Sequence, residues 1–416
     1  MSQTRGRRVD PHRPEVWITG LGLVSSLGEG PDAHWAALSV GKPGAPVDEA
    51  RFEPYPVHPL AAINFSKQIE RKGDIRQMGQ WQRIGVHAAG LALEDAGLAG
   101  DEELLGKTDL VVAAGNGERD EAADANILEA LTNGTENTQA RGSVLNRLLQ
   151  TSFRPTLYLA ELSNLLAGNI QIVHGVAGSS RTYKGEEMAG VSAVEDAVRR
   201  IAGGQGQLFL VGGAFNAERA DLGLVFELCG ALWPHSFKPV WRRAEDGGGF
   251  IMGSLGAFLV LESETHAMAR GKQPYARISC IHSGRGAGTS GSPRGATEAL
   301  EALARELHGP LGILSGVSGA EPATSHELEW ITMLDELGLQ SQVRAYGTML
   351  GHSVEAHFPA GVALAGLAVS KQALYEPFDD TGREEVREGH LDRVLVTGRG
   401  HWRGEGFALV EAAAKQ

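Results

Sequence analysis

The feature that most constrains the fold is a repeated alternation of short, continuously apolar runs with segments of helical periodicity. The runs 109–115, 208–213 and 256–262 are too short for buried helices and are typical of strands covered on both faces. Helical patterns lie between them, for example over 82–98, where Gly97 provides a natural stop. The alternation occurs twice along the 416 residues, which predicts an α/β protein with helices on both faces of its sheets.

One stretch departs from this alternation. Residues 116–155 are polar, show weak helical periodicity and contain turn residues such as Asn133 and Gly134. Such a composition predicts an excursion from the core. No low-complexity linker separates the two series of strands and helices, so we expect the two halves to share one interface.

The charge balance argues against a nucleic-acid-binding protein, and the apolar segments argue against a membrane protein. A formal net charge of −13 argues against nonspecific binding to nucleic acid, because neutralising phosphates requires a basic surface. The apolar stretch 16–24 is broken by Gly20 and Gly22 and is too short to span a bilayer. No membrane anchor and no signal peptide are therefore expected.

The chain has two cysteines, Cys229 and Cys280, which are far apart and lack the spacing of a zinc site or a disulfide framework. Unpaired cysteines commonly pack as small hydrophobic residues, which predicts that both lie in the core. This cysteine usage indicates a reducing cytoplasm as the location and no metal site. The glycine motif 284–288 lacks the context of a nucleotide-binding loop, so no cofactor is expected.

Six short motifs follow one another in a fixed order along the chain. They occupy residues 18–28, 163–168, 211–214, 246–262, 265–271 and 275–276. The most specific runs from Asp246 to Glu262 and places three consecutive glycines before an apolar strand pattern. In this order, from residue 16 onward, the chain resembles the ketoacyl synthases of fatty acid and polyketide assembly, which have the thiolase fold.

The resemblance implies an α/β fold of five layers, α-β-α-β-α, built from two pseudo-repeated halves. The N-terminal half would comprise residues 15–264 and the C-terminal half residues 265–416. The active site is expected where the halves meet, and a dimer is expected to form through a sheet edge. The alternation of strands and helices is compatible with this arrangement.

The resemblance also locates the nucleophile of condensation. In the family a cysteine stands at the start of a buried helix, where the helix dipole favours its thiolate. Segment 178–190 corresponds to this region, and ungapped alignment puts Glu187 at the nucleophile position. A carboxylate is electrostatically stable there but is a poor acyl acceptor. Neither Cys229 nor Cys280 is expected to substitute for the missing thiol.

Two family histidines polarise the malonyl thioester and stabilise the enolate that forms on decarboxylation. The segment of the first matches 315–319, with Ser315 in its place, so that donor is missing. The segment of the second matches 347–352, where His352 is kept and Gly347 stands at the lysine position. His352 would either bond a carrier thioester or a water, or remain as a hydrogen-bonded relic that orders the pocket floor.

The family's glycine-rich gating loop corresponds to residues 400–406 of this chain, which include His401, Trp402 and Arg403. The bulk of Trp402 and the charge of Arg403 would change gating and could plug the cavity. Arg403 is also a candidate partner for Glu187. The alternative interpretation is a surface loop.

The combined loss of the thiol, one histidine and the lysine suggests a subunit that does not condense. Such a chain resembles a chain length factor, the cysteine-free partner of an active ketosynthase in type II polyketide and related fatty acyl systems. It would form a heterodimer, receive chains from acyl carrier protein and line one end of the acyl tunnel. With an acidic residue at position 187, the chain resembles partners in aryl polyene and very long chain acyl pathways more than aromatic polyketide factors.

The family counterpart of 153–166 lies at the dimer interface beside the tunnel. Its apolar side chains are candidate tunnel or interface residues, although helix packing alone would also explain them: Phe153, Leu157, Tyr158, Leu159 and Leu162. Two other functions stay open. One is a malonyl carrier protein decarboxylase or unusual ketoacyl synthase, and the other is a homodimeric scaffold that binds acyl carriers.

Overall fold

The computed structural model describes residues 14–40, 46–133, 138–152, 159–287, 294–386 and 389–413. The strands are β1 (Val16–Ser25), β2 (Gly28–Glu29), β3 (Val57–His58), β4 (Asp109–Ala114), β5 (Ser180–Lys184), β6 (Leu208–Phe215), β7 (Met252–Gly253), β8 (Leu255–Ser263), β9 (Ala276–Ala287), β10 (Pro310–Ser315), β11 (Gln340–Ala345), β12 (Arg393–Arg399) and β13 (Arg403–Glu411).

The helices are α1 (Pro31–Leu38), α2 (Lys72–Gln77), α3 (Gln80–Asp95), α4 (Glu102–Lys107), α5 (Glu121–Thr132), α6 (Thr138–Ser152), α7 (Leu165–His174), α8 (Glu187–Ala202), α9 (Ala220–Leu228), α10 (Val240–Glu245), α11 (Glu264–Ala269), α12 (Arg294–Ala304), α13 (Ala323–Glu336), α14 (Gly347–Leu350) and α15 (His357–Lys371). Single 3₁₀ turns cover Phe65–Lys67 and Val354–Ala356. Within the described ranges, no helix combines the length and apolarity needed to cross a membrane.

Ten strands form one continuous ladder in the order β11-β10-β12-β13-β9-β1-β8-β6-β4-β5, and β2 adds to β1. The ladder is weakest in its middle, where β1 and β9 pair only through Trp17 and Ile18. It therefore behaves as two five-stranded sheets. The strands of one sheet lie between Val16 and Ser263, and those of the other lie between Ala276 and Glu411. The exact boundary after residue 264 stays a prediction.

Three hydrophobic cores show the layering. In the first, α3 and α7 cover one face of the β1-β8-β6-β4 sheet. In the second, α8 and α15 are packed between the two sheets. In the third, α12 and α13 cover the outer face of the β10-β12-β13 sheet. The order of layers is thus α-β-α-β-α, and the predicted α/β, thiolase-like architecture is confirmed.

Buried strands and helix ends occur where the sequence predicts them. The apolar run 109–115 forms β4, which is paired on both sides by β5 and β6. The helical pattern 82–98 corresponds to α3, and Gly97 follows it with a φ of 70°, a conformation that favours glycine. The polar stretch 116–155 contains α5 and α6, and α5 buries only Ala123, as an excursion from the core should.

The central helices approach each other closely through a glycine in α8. A Cβ atom on Gly190 would lie 2.5 Å from the Glu355 carbonyl oxygen and 2.8 Å from Cδ of Pro359. Both distances are shorter than real carbon contacts, so only glycine fits. This contact joins the start of α8 to the segment that precedes α15, and it brings residues of the two halves together around Glu187.

Candidate functional site

Glu187 is the first residue of α8 and lies in the central layer, where the two halves meet. It is 6% exposed. A carboxylate at this position faces the positive end of the helix dipole, which stabilises its negative charge. The helix start predicted near residue 187 is therefore observed, and the correspondence of Glu187 to the family's nucleophile stays a prediction.

Two imidazoles from the C-terminal half hold the Glu187 carboxylate. His352 Nε2 lies 3.0 Å from Glu187 Oε1, and His401 Nδ1 lies 2.5 Å from the same oxygen. His352 follows α14, whereas His401 lies between β12 and β13. Three distant segments thus meet at one carboxylate oxygen, while Glu187 Oε2 has no hydrogen-bond partner among the described residues.

The surroundings determine the charge of this cluster. Burial alone would raise the pKa of Glu187, but His401 and His352 outweigh it and hold the pKa of that carboxyl well below its usual range. Burial lowers the pKa of His352, and its hydrogen bond with Glu187 only partly offsets this effect. At neutral pH the site therefore contains a carboxylate that accepts a hydrogen bond from a neutral His352.

A serine extends the cluster. Ser318 Oγ lies 2.9 Å from His401 Nε2 and also accepts a hydrogen bond from the Ala320 amide at 3.2 Å. The Phe250 ring packs against the histidines, with centroids 5.1 Å from His352 and 4.9 Å from His401. The two imidazoles are therefore oriented by hydrogen bonds on one side and by aromatic packing on the other.

A third histidine lies behind His352. The His357 ring is 4.5 Å from the His352 ring and stacks on Tyr346 at 4.4 Å, measured between centroids. Burial lowers the pKa of His357 well below its usual value. A Cβ on Gly347 would lie 3.6 Å from its Cε1 atom, so the position predicted to have lost a lysine borders this ring. His357 thus packs as a neutral ring.

Ser315 does not join the Glu187 cluster. Its hydroxyl donates to Glu327 Oε1 at 2.5 Å, and Thr397 donates to the same oxygen. Burial raises the pKa of Glu327. The serine that contacts the cluster is Ser318, three residues further along the loop. The residue predicted to replace the first histidine therefore belongs to a neighbouring polar network.

The loop 400–406 is divided between the cluster and the surface. His401 is turned inward, whereas Arg403 is exposed and bonds Glu186 at 3.0 Å. The expectation that Arg403 pairs with Glu187 is wrong, because His401 occupies that place. Trp402 stacks on Phe226 with centroids 6.0 Å apart.

The structure separates both cysteines from Glu187. Cys280 lies in β9 and packs into the outer core beneath α12 and α13, on the far side of the sheet from α8. Cys229 caps the end of α9 and is exposed, so the prediction that it lies in the core is wrong. Gly230, with a φ of 64°, ends the helix at the surface. The apolar residues next to Cys229 do not enclose its thiol, since Leu228 is itself exposed.

A cavity of about 300 Å³ opens beside the cluster. Apolar and polar side chains share its wall: Trp81, Asn116, Lys184, Glu186, Phe215, Asn216, Arg219, Leu222, Val225, Phe226, Val354, Glu355 and Trp402. Glu355 accepts a hydrogen bond from the Gly115 amide at 2.9 Å, and burial raises its pKa to about 8. Val354 before it adopts a φ of 42°, a strained conformation that holds Glu355 against the cavity.

Only part of the predicted tunnel segment can be placed. Phe153, Leu157 and Tyr158 lie outside the described residues. Leu159 and Leu162 are 46% and 41% exposed, so these two apolar side chains face the surface. Their role in a tunnel or interface stays a prediction.

Sequence reasoning missed Ser318, His357 and Glu355, and it assigned no role to the His401 imidazole. The contact between His401 and Glu187 could not be predicted from the sequence, because 214 residues separate them and no local pattern relates the two. Glu355 follows the matched histidine motif by three residues, but only burial distinguishes it from a surface glutamate.

Comparison with known proteins places the chain among its relatives. The model of the beta-ketoacyl synthase N-terminal domain matches residues 13–267, more than half of the chain. The chain is 28% identical over 281 residues to 3-oxoacyl-[acyl-carrier-protein] synthase 2 of Vibrio cholerae, covering 63% of this chain and 61% of that protein. It is 30% identical to the tetracenomycin polyketide synthase ketoacyl synthase beta subunit of Streptomyces glaucescens, covering 61% and 60%.

In both cases the chain spans less than two thirds of the length of the relative it matches. A solved structure, the ishigamide ketosynthase/chain length factor, superposes with a TM-score of 0.76 over 97% of this chain and 100% of that chain, at 21% identity. This likeness shows the shared fold, and the domain match shows the family. The chain belongs to the beta-ketoacyl synthase family.

Proposed function

We propose that this chain is a non-condensing, chain length factor-like subunit that pairs with an active ketosynthase homologue. It would shape the acyl tunnel in type II polyketide synthesis, including aryl polyene-like pathways, or in long-chain fatty acyl synthesis. Acyl carrier protein would deliver the growing chain. The observation that carries the proposal is the Glu187 carboxylate, which two imidazoles hold where condensing relatives need a thiol.

The chemistry of Glu187 supports a subunit without condensing activity. Acyl transfer to a carboxylate would give an anhydride, which water hydrolyses easily, whereas a thioester survives until condensation. His352 would have to point Nε2 at a thioester carbonyl to polarise it, but that nitrogen is engaged with Glu187 at 3.0 Å. The cluster therefore lacks both a nucleophile and a free imidazole donor for the thioester.

The cavity supports a role in shaping the tunnel. Trp402, Phe226 and Val225 form part of its apolar wall, and Trp402 narrows it by stacking on Phe226. On α9, Val225 is 50% exposed, and Leu224 and Leu228 are more exposed still. Contiguous exposed apolar side chains commonly mark a protein interface. A partner covering α9 would close the cavity on its exposed side.

The edge strand β5 supports pairing with a homologue. It hydrogen-bonds β4 on one side, and within the described residues no strand pairs with its other side. An open edge strand is a template for a strand of another chain. The solved neighbour named as a ketosynthase/chain length factor and the ketoacyl synthase beta subunit of Streptomyces glaucescens are the relatives that favour a two-subunit assembly.

Co-expression tests this proposal. The chain is produced together with a homologous ketosynthase that keeps its cysteine and two histidines, and native mass spectrometry measures the assembly. We expect a one-to-one heterodimer that makes elongated acyl products only when both subunits are present. A stable homodimer that ignores the ketosynthase would contradict the proposal and favour a carrier-binding scaffold.

The isolated chain provides the second arm of the test. It is incubated with radiolabelled malonyl and acyl carrier protein, and bound label and released carbon dioxide are measured. We expect neither covalent acylation nor carbon dioxide release. Release that disappears in His352→Ala would establish a decarboxylase and overturn the proposal.

A further inference from the structure

The Glu187 cluster contains the donor atoms of a metal site. Glu187, His352 and His401 each offer one ligand atom, and these atoms lie within 4.8 Å of one another. Glu187 and His352 are buried, and the His401 side chain is 7% exposed. The site is thus a protected set of one carboxylate and two imidazoles, unlike the exposed acidic groups that occur on many protein surfaces.

We propose that Glu187, His352 and His401 bind one divalent transition-metal ion of the zinc class. Two imidazoles and one carboxylate are a ligand set that zinc uses in proteins, with the fourth position left to water. This inference does not depend on the proposed function, because an ion can be bound whether or not the chain partners a ketosynthase.

The distances fit such an ion after a small adjustment. Zinc lies about 2.0–2.2 Å from imidazole and carboxylate ligands, so neighbouring ligand atoms of a tetrahedral site are about 3.3 Å apart. Glu187 Oε1 and His352 Nε2 are 3.0 Å apart, and Glu187 Oε1 and His401 Nδ1 are 2.5 Å apart. A shift of the His401 ring by about 1 Å makes room for the ion.

The surroundings of His401 resemble those of a metal-binding histidine. A histidine that binds metal through one ring nitrogen commonly donates its other N–H to a fixed acceptor. His401 would bind through Nδ1, and its Nε2 lies 2.9 Å from Ser318 Oγ. The backbone amide of Ala320 fixes that hydroxyl in turn. Ser318 therefore restricts the orientation of the His401 ring, although the ring must still move away from Glu187 to admit an ion.

The second oxygen of the Glu187 carboxylate is a further observation in favour of a cation. Glu187 Oε2 is buried and has no hydrogen-bond partner within the part of the chain that is described. A Cβ at Gly400 would lie 3.4 Å from this oxygen, at ordinary van der Waals distance, so Gly400 borders the carboxylate. A buried carboxylate oxygen without a hydrogen-bond partner lowers the stability of the folded chain. A cation bound to the same carboxylate would offset this cost.

Binding would link three segments that are far apart in the sequence. Glu187 lies 165 residues from His352 and 214 residues from His401. An ion that binds only the folded chain stabilises it in proportion to the logarithm of its concentration over the dissociation constant. We therefore expect added metal to raise the melting temperature of the full chain.

The test uses the full chain after dialysis against a chelator. Co²⁺ is added while its visible ligand-field spectrum is recorded, and Zn²⁺ is then added to displace it. We expect saturation at one ion per chain and displacement by Zn²⁺. Glu187→Gln and His401→Gln should each weaken binding by about tenfold or more, and Ser318→Ala, which removes only the second contact of His401, by roughly tenfold.

His390→Gln is the matched control. His390 Nε2 lies 2.7 Å from Asp392 Oδ1, so it forms an exposed imidazole–carboxylate pair outside the cluster, and its loss should leave the metal affinity unchanged. Absence of saturable Co²⁺ binding, or equal binding by the Glu187 and His401 variants, would overturn the proposal. If those variants do not fold, X-ray absorption by the Zn²⁺-loaded wild type decides, because a shell without two imidazoles contradicts the site.

Discussion

At the residue scale, the Glu187 carboxylate organises the side chains around it. A thiol forms only weak hydrogen bonds, whereas the Glu187 carboxylate accepts hydrogen bonds from both His352 and His401. Charge-assisted hydrogen bonds are stronger than neutral ones, so both imidazoles are held towards the carboxylate. The Glu187 side chain therefore fixes the orientation of both imidazoles.

Glu355 gives a prediction about pH. Burial raises its pKa to about 8, above an unfolded value of about 4.3, so the folded chain binds more protons between these values. Its contribution to stability is complete below about pH 4.3 and is lost as pH rises through about 8. Glu355→Gln keeps a hydrogen-bond acceptor for the Gly115 amide. Because glutamine does not ionise, the variant should not lose stability as the pH rises.

The measurement is urea unfolding of wild type and Glu355→Gln at pH 5 and pH 9. We expect similar unfolding free energies at pH 5 and a variant more stable by on the order of 3 kcal/mol at pH 9. Glu103→Gln, at an exposed position, is the control and should follow the wild type. If the unfolding free energies of Glu355→Gln and wild type changed in parallel with pH, the Glu355 carboxyl would be ionised in the folded chain and the prediction would be wrong.

Trp402 gives a prediction about product length that depends on the proposed function. Its ring lines the cavity and stacks on Phe226, so Trp402→Ala would lengthen the space available to an acyl chain. In the heterodimer we expect products at least one extension unit longer, measured by mass spectrometry. Arg403→Ala is the matched control, because that exposed side chain bonds Glu186 and does not line the cavity. Identical products from wild type and Trp402→Ala would rule out this role.

At the scale of elements, the close packing of β1 on α3 depends on glycine. A Cβ on Gly22 would lie 1.9 Å from the Ala88 carbonyl oxygen and 2.6 Å from the Ala92 nitrogen, and neither backbone atom can move without displacing the helix. Gly22→Ala is therefore expected to lower the unfolding free energy by about 3 kcal/mol. Urea denaturation measures this change.

Gly73→Ala is the control for that experiment. Gly73 lies in α2, and its Cβ would meet no atom within 4 Å. Alanine is the better helix former, so this variant should gain about 0.5–1 kcal/mol. Equal stability of the two variants would mean that β1 and α3 are not packed as described.

At the scale of the whole molecule, the open sheet edge of β5 gives a prediction about the heterodimer of the proposed function. Leu110 N donates a hydrogen bond to Ser179 O, and Gly185 N donates one to Ala114 O. The backbone N–H and C=O groups of odd-numbered residues in β5 therefore point towards β4. Backbone groups alternate in direction along a parallel strand, so the N–H of Thr182 lies on the open edge.

Thr182→Pro therefore removes an outward N–H and leaves the β4 ladder intact. We expect it to weaken the heterodimer by at least about tenfold while the monomer keeps its circular dichroism spectrum. Thr182→Ala retains the amide and should assemble normally. Light scattering after co-expression distinguishes these outcomes, and a Thr182→Pro heterodimer as stable as wild type would exclude β5 as the contact.

The sequence by itself determined the α/β class, with helices on both faces of the sheets, and a helix start near Glu187, whereas the five layers were implied by the family resemblance. Strands buried on both faces and helices with one apolar face leave periodic signatures in neighbouring residues, and these do not depend on distant contacts. The family resemblance then led to the prediction that Glu187 stands at the nucleophile position. For these reasons β4, β6, β8 and α3 could be predicted within a few residues.

Only the tertiary structure decided which side chains surround Glu187. His401 binds it and Arg403 does not, Ser318 contacts His401 while Ser315 joins Glu327, and Cys229 reaches the surface. Partners separated by up to 214 residues are chosen by the packing of two sheets and the loops between them, to within an ångström. No local pattern in the chain carries that information, because hydrogen-bond geometry depends on where the folded backbone places each atom.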